Sequence, residues 1–179
     1  MSMLRLGPPV AECHVFTYRE GLLASFGHDL ELAVTRFDIR VDQEARRADA
    51  SFDAASLRVV RALRNGVELA GGISEADRRT IEDSARRDVL EVTSYPEIRY
   101  RTTRVLDVED GFDVTGKLVL HGKERDVTVP LRRVGDRYVG AVVLAQPDFG
   151  IRPYSAFFGA MKVKPEVLVR VSLPADPAR

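Results

Sequence analysis

Apolar and polar residues alternate along most of this chain, which is the pattern of half-buried β-strands. Ile98, Tyr100 and Thr102 alternate with charged residues. The same period resumes after the hairpin signal Asp110-Gly111. About eight such segments follow one another at hairpin spacing. Repeated alternation with short turns predicts an all-β fold, an antiparallel barrel or sandwich.

The apolar positions change parity once in the first half of the chain. Leu30, Leu32 and Val34 share one face of a strand, whereas the next apolar set begins at Phe37. Because neighbouring strand residues point to opposite faces, a bulge near Thr35-Arg36 is needed to keep both sets inside. Such a bulge also allows the sheet to curl.

Residues 57–90 depart from the period of two and predict a helical insertion. Their first apolar residues lie closer to helical spacing, and Ser74-x-x-Asp77 resembles a capping box. Glu75 lies four residues before Arg79, in the favourable order for a helical ion pair. We therefore predict a surface helix over Glu75–Val89. Its inward residues are expected to be Ile81, Ala85 and Val89.

Composition and charge exclude several classes of protein. The 179 residues carry 27 Lys and Arg against 27 Asp and Glu, a formal net charge of zero. This balance argues against attachment to nucleic acid or anionic lipid by bulk electrostatics. With 45% hydrophobic residues, the chain is ordinary globular material. We expect one domain over 1–179, with its core over about 12–173.

Segments that cross membranes or direct secretion are not evident. The longest run without a charged residue, Tyr138–Pro147, is ten residues long, whereas a spanning helix needs about 20. The first residues lack the apolar run of a secretory signal, which predicts a cytoplasmic protein, or a periplasmic one if a leader was removed. The single cysteine, Cys13, allows no intramolecular disulfide.

Residues that could perform catalysis do not form a known motif. His14, His28 and His121 show no metal-ligand spacing, and no glycine-rich phosphate loop occurs. His28 and Asp29 would point to opposite faces of a strand. We therefore expect no catalytic residue, metal or cofactor. An enzyme that uses His28, Asp29 and His121 remains the less favoured alternative.

Aromatic residues on the alternating faces raise the question of what fills the interior. An eight-stranded barrel is just wide enough to be packed by side chains or to hold one small ligand. Alternation fits both arrangements, and composition alone favours the packed one. A packed barrel that binds another protein is therefore a second alternative.

Several segments resemble, in order, the motifs of the YceI-like family, which comprises lipocalin-like, polyisoprenoid-binding proteins. The most specific piece is Gly116–Lys123 followed by Val127-Thr128-Val129-Pro130. Tyr95-Pro96 before a strand and Asp148–Ile151 are the next. The resemblance implies an eight-stranded antiparallel barrel that encloses an elongated apolar pocket for a polyisoprenoid or a fatty-acid-like molecule.

We therefore expect non-enzymatic binding, storage or transport of a long apolar small molecule, such as a polyisoprenoid, an isoprenoid quinone or a fatty-acid-like chain. Polar residues such as His28 or Arg152 would hold a head group, and a homodimer is compatible with each alternative. Phe149 and Phe157 are expected at the mouth of the pocket. Alternation predicts the other lining residues to be Phe16, Tyr18, Phe37, Ile39, Tyr100, Phe112, Val114, Leu118, Val142 and Leu144.

Overall fold

A computed structural model describes residues 3–22 and 27–176, with the exception of the Phe157 side chain. These residues form a ten-residue helix, α1 (Glu75–Ser84), a π-helical turn (Ala85–Val89) and fifteen strands. The strands are β1 (Met3–Leu6), β2 (Glu12–Thr17), β3 (Arg19–Glu20), β4 (Asp29–Val34), β5 (Phe37–Asp42), β6 (Arg47–Asp53), β7 (Leu57–Arg64), β8 (Val67–Glu68), β9 (Glu97–Val108), β10 (Gly111–Leu120), β11 (Lys123–Val134), β12 (Arg137–Ala145), β13 (Ser155–Ala156), β14 (Met161–Val163) and β15 (Glu166–Pro174).

Twelve of the strands form one strongly curled antiparallel sheet. Their order is β1-β5-β6-β9-β10-β11-β12-β15-β2-β4-β7-β8, and a small second sheet has the order β13-β14-β3. Strand β5 follows β4 after two residues, and β7 follows β6 after a three-residue 3₁₀ turn (Ala54–Ser56). The two distant parts of the sheet are therefore halves of one long bent hairpin.

Counting each broken strand once reduces the sheet to eight long strands and the two-residue β8 at its edge. Within the bent hairpin, β4 pairs with β7 and β5 pairs with β6. On its outer side, β2 pairs with β4 and β1 pairs with β5, so β1 and β2 are two parts of one broken strand. This confirms the predicted all-β, lipocalin-like antiparallel barrel, although more strand segments are present than were expected. The break between β4 and β5 falls at Thr35-Arg36, where the change of parity predicts it.

The bend is held by hydrogen bonds around Ser56, which is completely buried. Its hydroxyl accepts the Arg36 N–H at 3.0 Å and donates to the Asp53 carbonyl at 2.8 Å. Its carbonyl accepts the Thr35 N–H at 3.2 Å and the Thr35 hydroxyl at 2.9 Å. The backbone N–H groups between the two ladders, those of Thr35 and Arg36, are thus hydrogen-bonded to Ser56 instead of to a neighbouring strand.

The predicted helical insertion over 57–90 is wrong in its first part, because Leu57–Arg64 is strand β7. The register between β4 and β7 shifts at this point: Glu31 lies opposite Arg61, and Leu32 lies opposite Val59. The extra residue, Val60, resets the alternation. Because the bulge shifts the alternation by one residue, the apolar positions of this strand have a spacing close to that of a helix.

The predicted surface helix is present and covers the free edge of β7. Ser74 caps its start by accepting the Asp77 N–H at 3.1 Å, and Glu82 accepts the Val59 N–H at 2.8 Å. The helix continues as the π-helical turn to Val89. The three residues predicted to face inward all line the interior: Ile81, Ala85 and Val89. Within residues 3–22 and 27–176, no helix combines the length and apolarity needed to traverse a bilayer.

Removing the Ser56 hydroxyl should weaken the bend. The Ser56→Ala variant removes a completely buried hydroxyl that is bonded to the Arg36 N–H and the Asp53 carbonyl, so we expect the free energy of unfolding to fall by about 1–3 kcal/mol. Ser51→Ala is the matched control, because it removes an exposed hydrogen bond to Glu97 and should cost about 0.5 kcal/mol or less. Urea unfolding followed by circular dichroism measures the stability of both variants. Equal losses of unfolding free energy would contradict the role of Ser56 at the bend.

Candidate functional site

The curled sheet encloses a cavity of 1120 Å³. Its wall is made largely of aliphatic side chains from alternate positions of the long strands. On β15 these are Val167, Val169 and Val171, and β12 contributes Val142 and Leu144. Because one face of each strand points inward, a run of alternating sequence becomes a continuous apolar lining.

Two inward positions without a side chain leave space for neighbouring residues. A Cβ atom at Gly116 would lie 2.5 Å from the Tyr100 ring, and one at Gly140 would lie 2.8 Å from Leu131. The Tyr100 ring therefore lies across β10 at Gly116. The second glycine gives the same freedom to Leu131 on the neighbouring strand.

Tyr100 brings a polar atom into the lining, and the protein satisfies that atom internally. Its hydroxyl lies 2.9 Å from the Val114 carbonyl and 3.1 Å from the Val127 carbonyl. Burial raises the pKa of Tyr100 to about 12, so the phenol is neutral at physiological pH. At this position the lining therefore presents an apolar ring surface and no free hydrogen-bonding group.

Seven of the residues predicted from alternation line the cavity, together with Phe149. Their side chains come from β5, β9, β10, β12 and the turn after β12, so the structure brings together positions that are far apart in the sequence. These residues are Ile39, Tyr100, Phe112, Val114, Leu118, Val142, Leu144 and Phe149.

Three predicted residues do not line the cavity. Phe16 lies beneath the Arg170 guanidinium, 5.0 Å from the ring centroid, on the other face of β2. Tyr18 follows the end of β2 and is likewise absent from the lining. Phe37 packs against Phe52 at 5.4 Å and against the cluster around Leu6. Because the N-terminal segment covers Phe37, the lining residue at this level is Phe52.

The β2 residues that face the cavity are Cys13, Val15 and Thr17, which the alternation analysis missed. Both faces of β2 carry apolar residues, so its own pattern does not decide the orientation. The neighbouring strand does: Val171 lies opposite Cys13, and Val169 lies opposite Val15. Directly opposed residues share a face, so the valine pattern of β15 would have shown the orientation.

Apolar clusters pack at both ends of the cavity. At one end, Leu6 and Ala11 from the N-terminal segment pack with Ile39. At the other end, Phe149 and Ile151 pack with Leu118. Phe149 lies at this end and is only 2% exposed, so its ring is buried and does not project into solvent. The Phe157 side chain, the other residue predicted there, lies outside the described part of the structure.

A polar rim lies at the end where Phe149 packs. Tyr154 and Lys162 line the cavity and are also exposed to solvent. Arg19 and His28 line the same end, and the Arg19 guanidinium donates to the Gly27 carbonyl at 2.7 Å. Of the two predicted head-group residues, His28 therefore lies at the cavity, whereas Arg152 is not part of its lining.

The residues considered for catalysis each have separate surroundings. The Asp29 carboxylate accepts the Arg19 N–H at 2.9 Å. The His121 Nε2 lies 2.7 Å from the Glu91 carboxylate, and its ring lies 4.2 Å from that of Tyr95. The His28 Nδ1 is buried and has no hydrogen-bond partner in the part of the chain that is described. No hydrogen bond among these described residues joins any two of His28, Asp29 and His121.

The described ranges contain no group of three or more His, Cys, Asp or Glu side chains arranged to hold a metal ion. The buried Cys13 thiol faces the cavity wall, where desolvation raises its pKa from 9.0 to about 12. This thiol is therefore neutral and weakly nucleophilic in the folded protein.

Comparisons with known proteins agree with this architecture. A family model described as the YceI-like domain matches residues 14–175. The structure of BcnA from Burkholderia cenocepacia is similar with a TM-score of 0.61 at 18% identity, over 90% of this chain and 94% of that one. A polyisoprenoid-binding domain from Saccharophagus degradans is similar with a TM-score of 0.53 at 11% sequence identity. The match covers 90% of this chain and 91% of that one. The YCEI protein of Campylobacter jejuni is similar with a TM-score of 0.50 at 12% sequence identity. The match covers 68% of this chain and 71% of that one. No curated protein matches the chain.

The environment of Cys13 predicts its reactivity. With its pKa near 12, the folded protein should react with iodoacetamide at pH 8 about a thousandfold more slowly than the chain unfolded in urea. Its rate should still rise about tenfold per pH unit up to pH 10, where a thiol of ordinary pKa has already levelled off. Intact-mass measurement of alkylation follows both. A plateau above pH 9 in the folded protein would contradict the burial of a neutral thiol.

Proposed function

The chain belongs to the family of YceI-like domains, and on this premise we propose that it binds a long apolar small molecule in its cavity without chemical conversion. The ligand class is a polyisoprenoid, an isoprenoid quinone or a fatty-acid-like chain. The role is storage or transport. A cytoplasmic location, or a periplasmic one if a leader was removed, and a single domain with its core over about 12–173 remain part of this proposal.

The observation that supports the proposal is the apolar cavity of 1120 Å³ inside the sheet. Transfer of one methylene group from water to an apolar site contributes about 0.8 kcal/mol. Ten methylenes would thus give a gross term of about 8 kcal/mol before the entropy costs of binding. A chain-like ligand therefore needs few polar contacts to reach micromolar affinity.

The ligand class follows from the chemistry of the lining together with the family. A wall of valine, leucine and aromatic side chains favours a hydrocarbon chain. The neutral Tyr100 phenol is already bonded to backbone carbonyls, so it adds no free polar group at its position. The Saccharophagus degradans protein of similar fold is described as a polyisoprenoid-binding domain, which supports the same class of ligand here.

The two alternatives receive less support. A packed barrel requires its own side chains to fill the interior, which a cavity of 1120 Å³ disfavours. An enzyme built on His28, Asp29 and His121 requires these residues to converge. Asp29 is instead bonded to the Arg19 backbone, and His121 is bonded to Glu91.

Native mass spectrometry tests whether the cavity holds a ligand. Purified protein incubated with ubiquinone-8 or a long-chain polyprenol in mild detergent should retain one molecule per chain. Occupied cavities should also protect the Cys13 thiol, which faces the lining, from alkylation at pH 10. A persistently ligand-free mass with both probes, together with unchanged alkylation, would overturn the proposal.

Filling the cavity with a bulkier side chain should weaken binding. Val142 lines the cavity, whereas its neighbour Val143 on β12 points outward and is 61% exposed. The Val142→Trp variant should displace about two methylenes of ligand and lower the affinity for ubiquinone-8 about tenfold. Val143→Trp is the matched control and should bind normally. Titrations monitored by native mass spectrometry measure both, and equal affinities would argue against a ligand in the cavity.

A further inference from the structure

An aromatic side chain projects into solvent beside the polar rim of the cavity. The short hairpin of β13 and β14 turns through Phe157–Gly159, and Phe158 at this turn is fully exposed. Both strands of the hairpin contribute to the cavity lining, through Ala156 and Met161. The exposed ring is therefore attached to the wall of the cavity itself.

Neither packing nor turn chemistry explains Phe158. Its φ of 56° lies in the left-handed region, which bulky residues rarely adopt and in which glycine or asparagine is relaxed. The ring is fully exposed in the folded chain, so it gains no burial there. A bulky residue that adopts an unfavourable backbone conformation without gaining burial marks a candidate functional position.

Other apolar groups surround this turn. A Cβ atom at Gly21 would lie 2.5 Å from the Ala160 carbonyl and 3.3 Å from that of Gly159, so the chain at Gly21 runs against the turn. The next residue, Leu22, is 93% exposed. Tyr154 lines the cavity and is 42% exposed. Leucine and aromatic residues are thus presented together at one end of the barrel.

Positive charge accompanies this apolar group. Lys162 and Lys164 are both exposed and alternate along β14 and its continuation, which pairs with β3 and Tyr18. Neither lysine forms an ion pair with a described residue. The carboxylate nearest in register is Glu20, opposite Lys162. Although the whole chain is neutral, this rim presents unpaired cations.

We propose that this rim, formed by Leu22, Tyr154, Phe158, Lys162 and Lys164, is a docking surface for a lipid bilayer with anionic head groups. Phe158 and Leu22 insert among the lipids, and Tyr154 lies at the interface, where amphipathic aromatic rings are favoured. The lysines pair with lipid phosphates. The purpose of docking rests on the proposed function, because an apolar chain could then pass between the bilayer and the cavity without crossing water.

A bilayer fits this rim better than a second protein does. A stable protein interface covers about 800 Å² on each partner, whereas the rim offers a few projecting side chains around an opening. A second copy of the chain would bring two sets of unpaired lysines together, which costs like-charge repulsion. Insertion of single exposed side chains requires no matching surface.

Vesicle flotation tests the docking. The protein without added ligand should float with vesicles of phosphatidylcholine and phosphatidylglycerol, and bind weakly to phosphatidylcholine alone or in 0.5 M NaCl. Phe158→Asn should lower partitioning about tenfold, and its turn should be relaxed, so the fold is retained. Lys162→Gln should lower partitioning about fivefold. Circular dichroism verifies folding of each variant.

The controls change matched residues away from the rim. Val134→Ser alters an exposed apolar residue, 62% exposed, at the end of β11. Arg104→Gln removes one exposed cation from β9. Both should partition as the unchanged protein does. Docking is overturned if the unchanged protein binds neither vesicle, if Phe158→Asn binds as strongly as it does, or if light scattering shows a dimer that Phe158→Asn dissociates.

Failure of docking is distinguishable from failure of the proposed function. Ubiquinone-8 bound in detergent without any vesicle binding would overturn the docking surface alone. Vesicle binding that depends on Phe158, without a bound chain in native mass spectrometry, would overturn the carrier function alone and support the docking surface.

Discussion

The architecture depends on the hydrogen bonds that hold the bend of the long hairpin. At this bend two strands leave one ladder and join another, so the backbone groups between the ladders need other hydrogen-bond partners. The Ser56 hydroxyl and carbonyl take up the groups of Arg36 and Thr35. Because β4 with β7 and β5 with β6 are parts of the same hairpin, the two distant parts of the sheet are tied together, and the sheet curls around an enclosed volume.

The wall of this volume is largely apolar, and the hydroxyl of Tyr100 within it is bonded to backbone carbonyls. The Glu82 carboxylate, on the helix beside β7, accepts the Val59 N–H. Two apolar clusters, around Ala11 and Phe149, pack at the ends of this volume. Tyr154 and Lys162 line one end of this volume and are exposed to solvent. Exposed Gln43, Arg46 and Arg47 line the opposite end.

Much of the fold and part of the site could be predicted from local pattern. Alternation identified the long strands, the parity change at Thr35-Arg36 identified the bend, and the capping residue Ser74 identified the start of α1. Phe16 was misplaced because both faces of β2 are apolar, and its orientation is decided by the valines of β15. Phe37 was misplaced because the N-terminal segment, distant in sequence, covers it.

Period-two alternation specifies strands and their two faces, because a strand places successive side chains on opposite sides whatever its neighbours are. Such a local rule holds equally for a filled and a hollow barrel. The cavity exists because side chains from non-adjacent strands do not fill the space that the curled sheet encloses, although Tyr100 and Leu131 pack over the glycines at 116 and 140. That difference between enclosed volume and side-chain volume is a property of the assembled wall, and it arises only when all the strands have met.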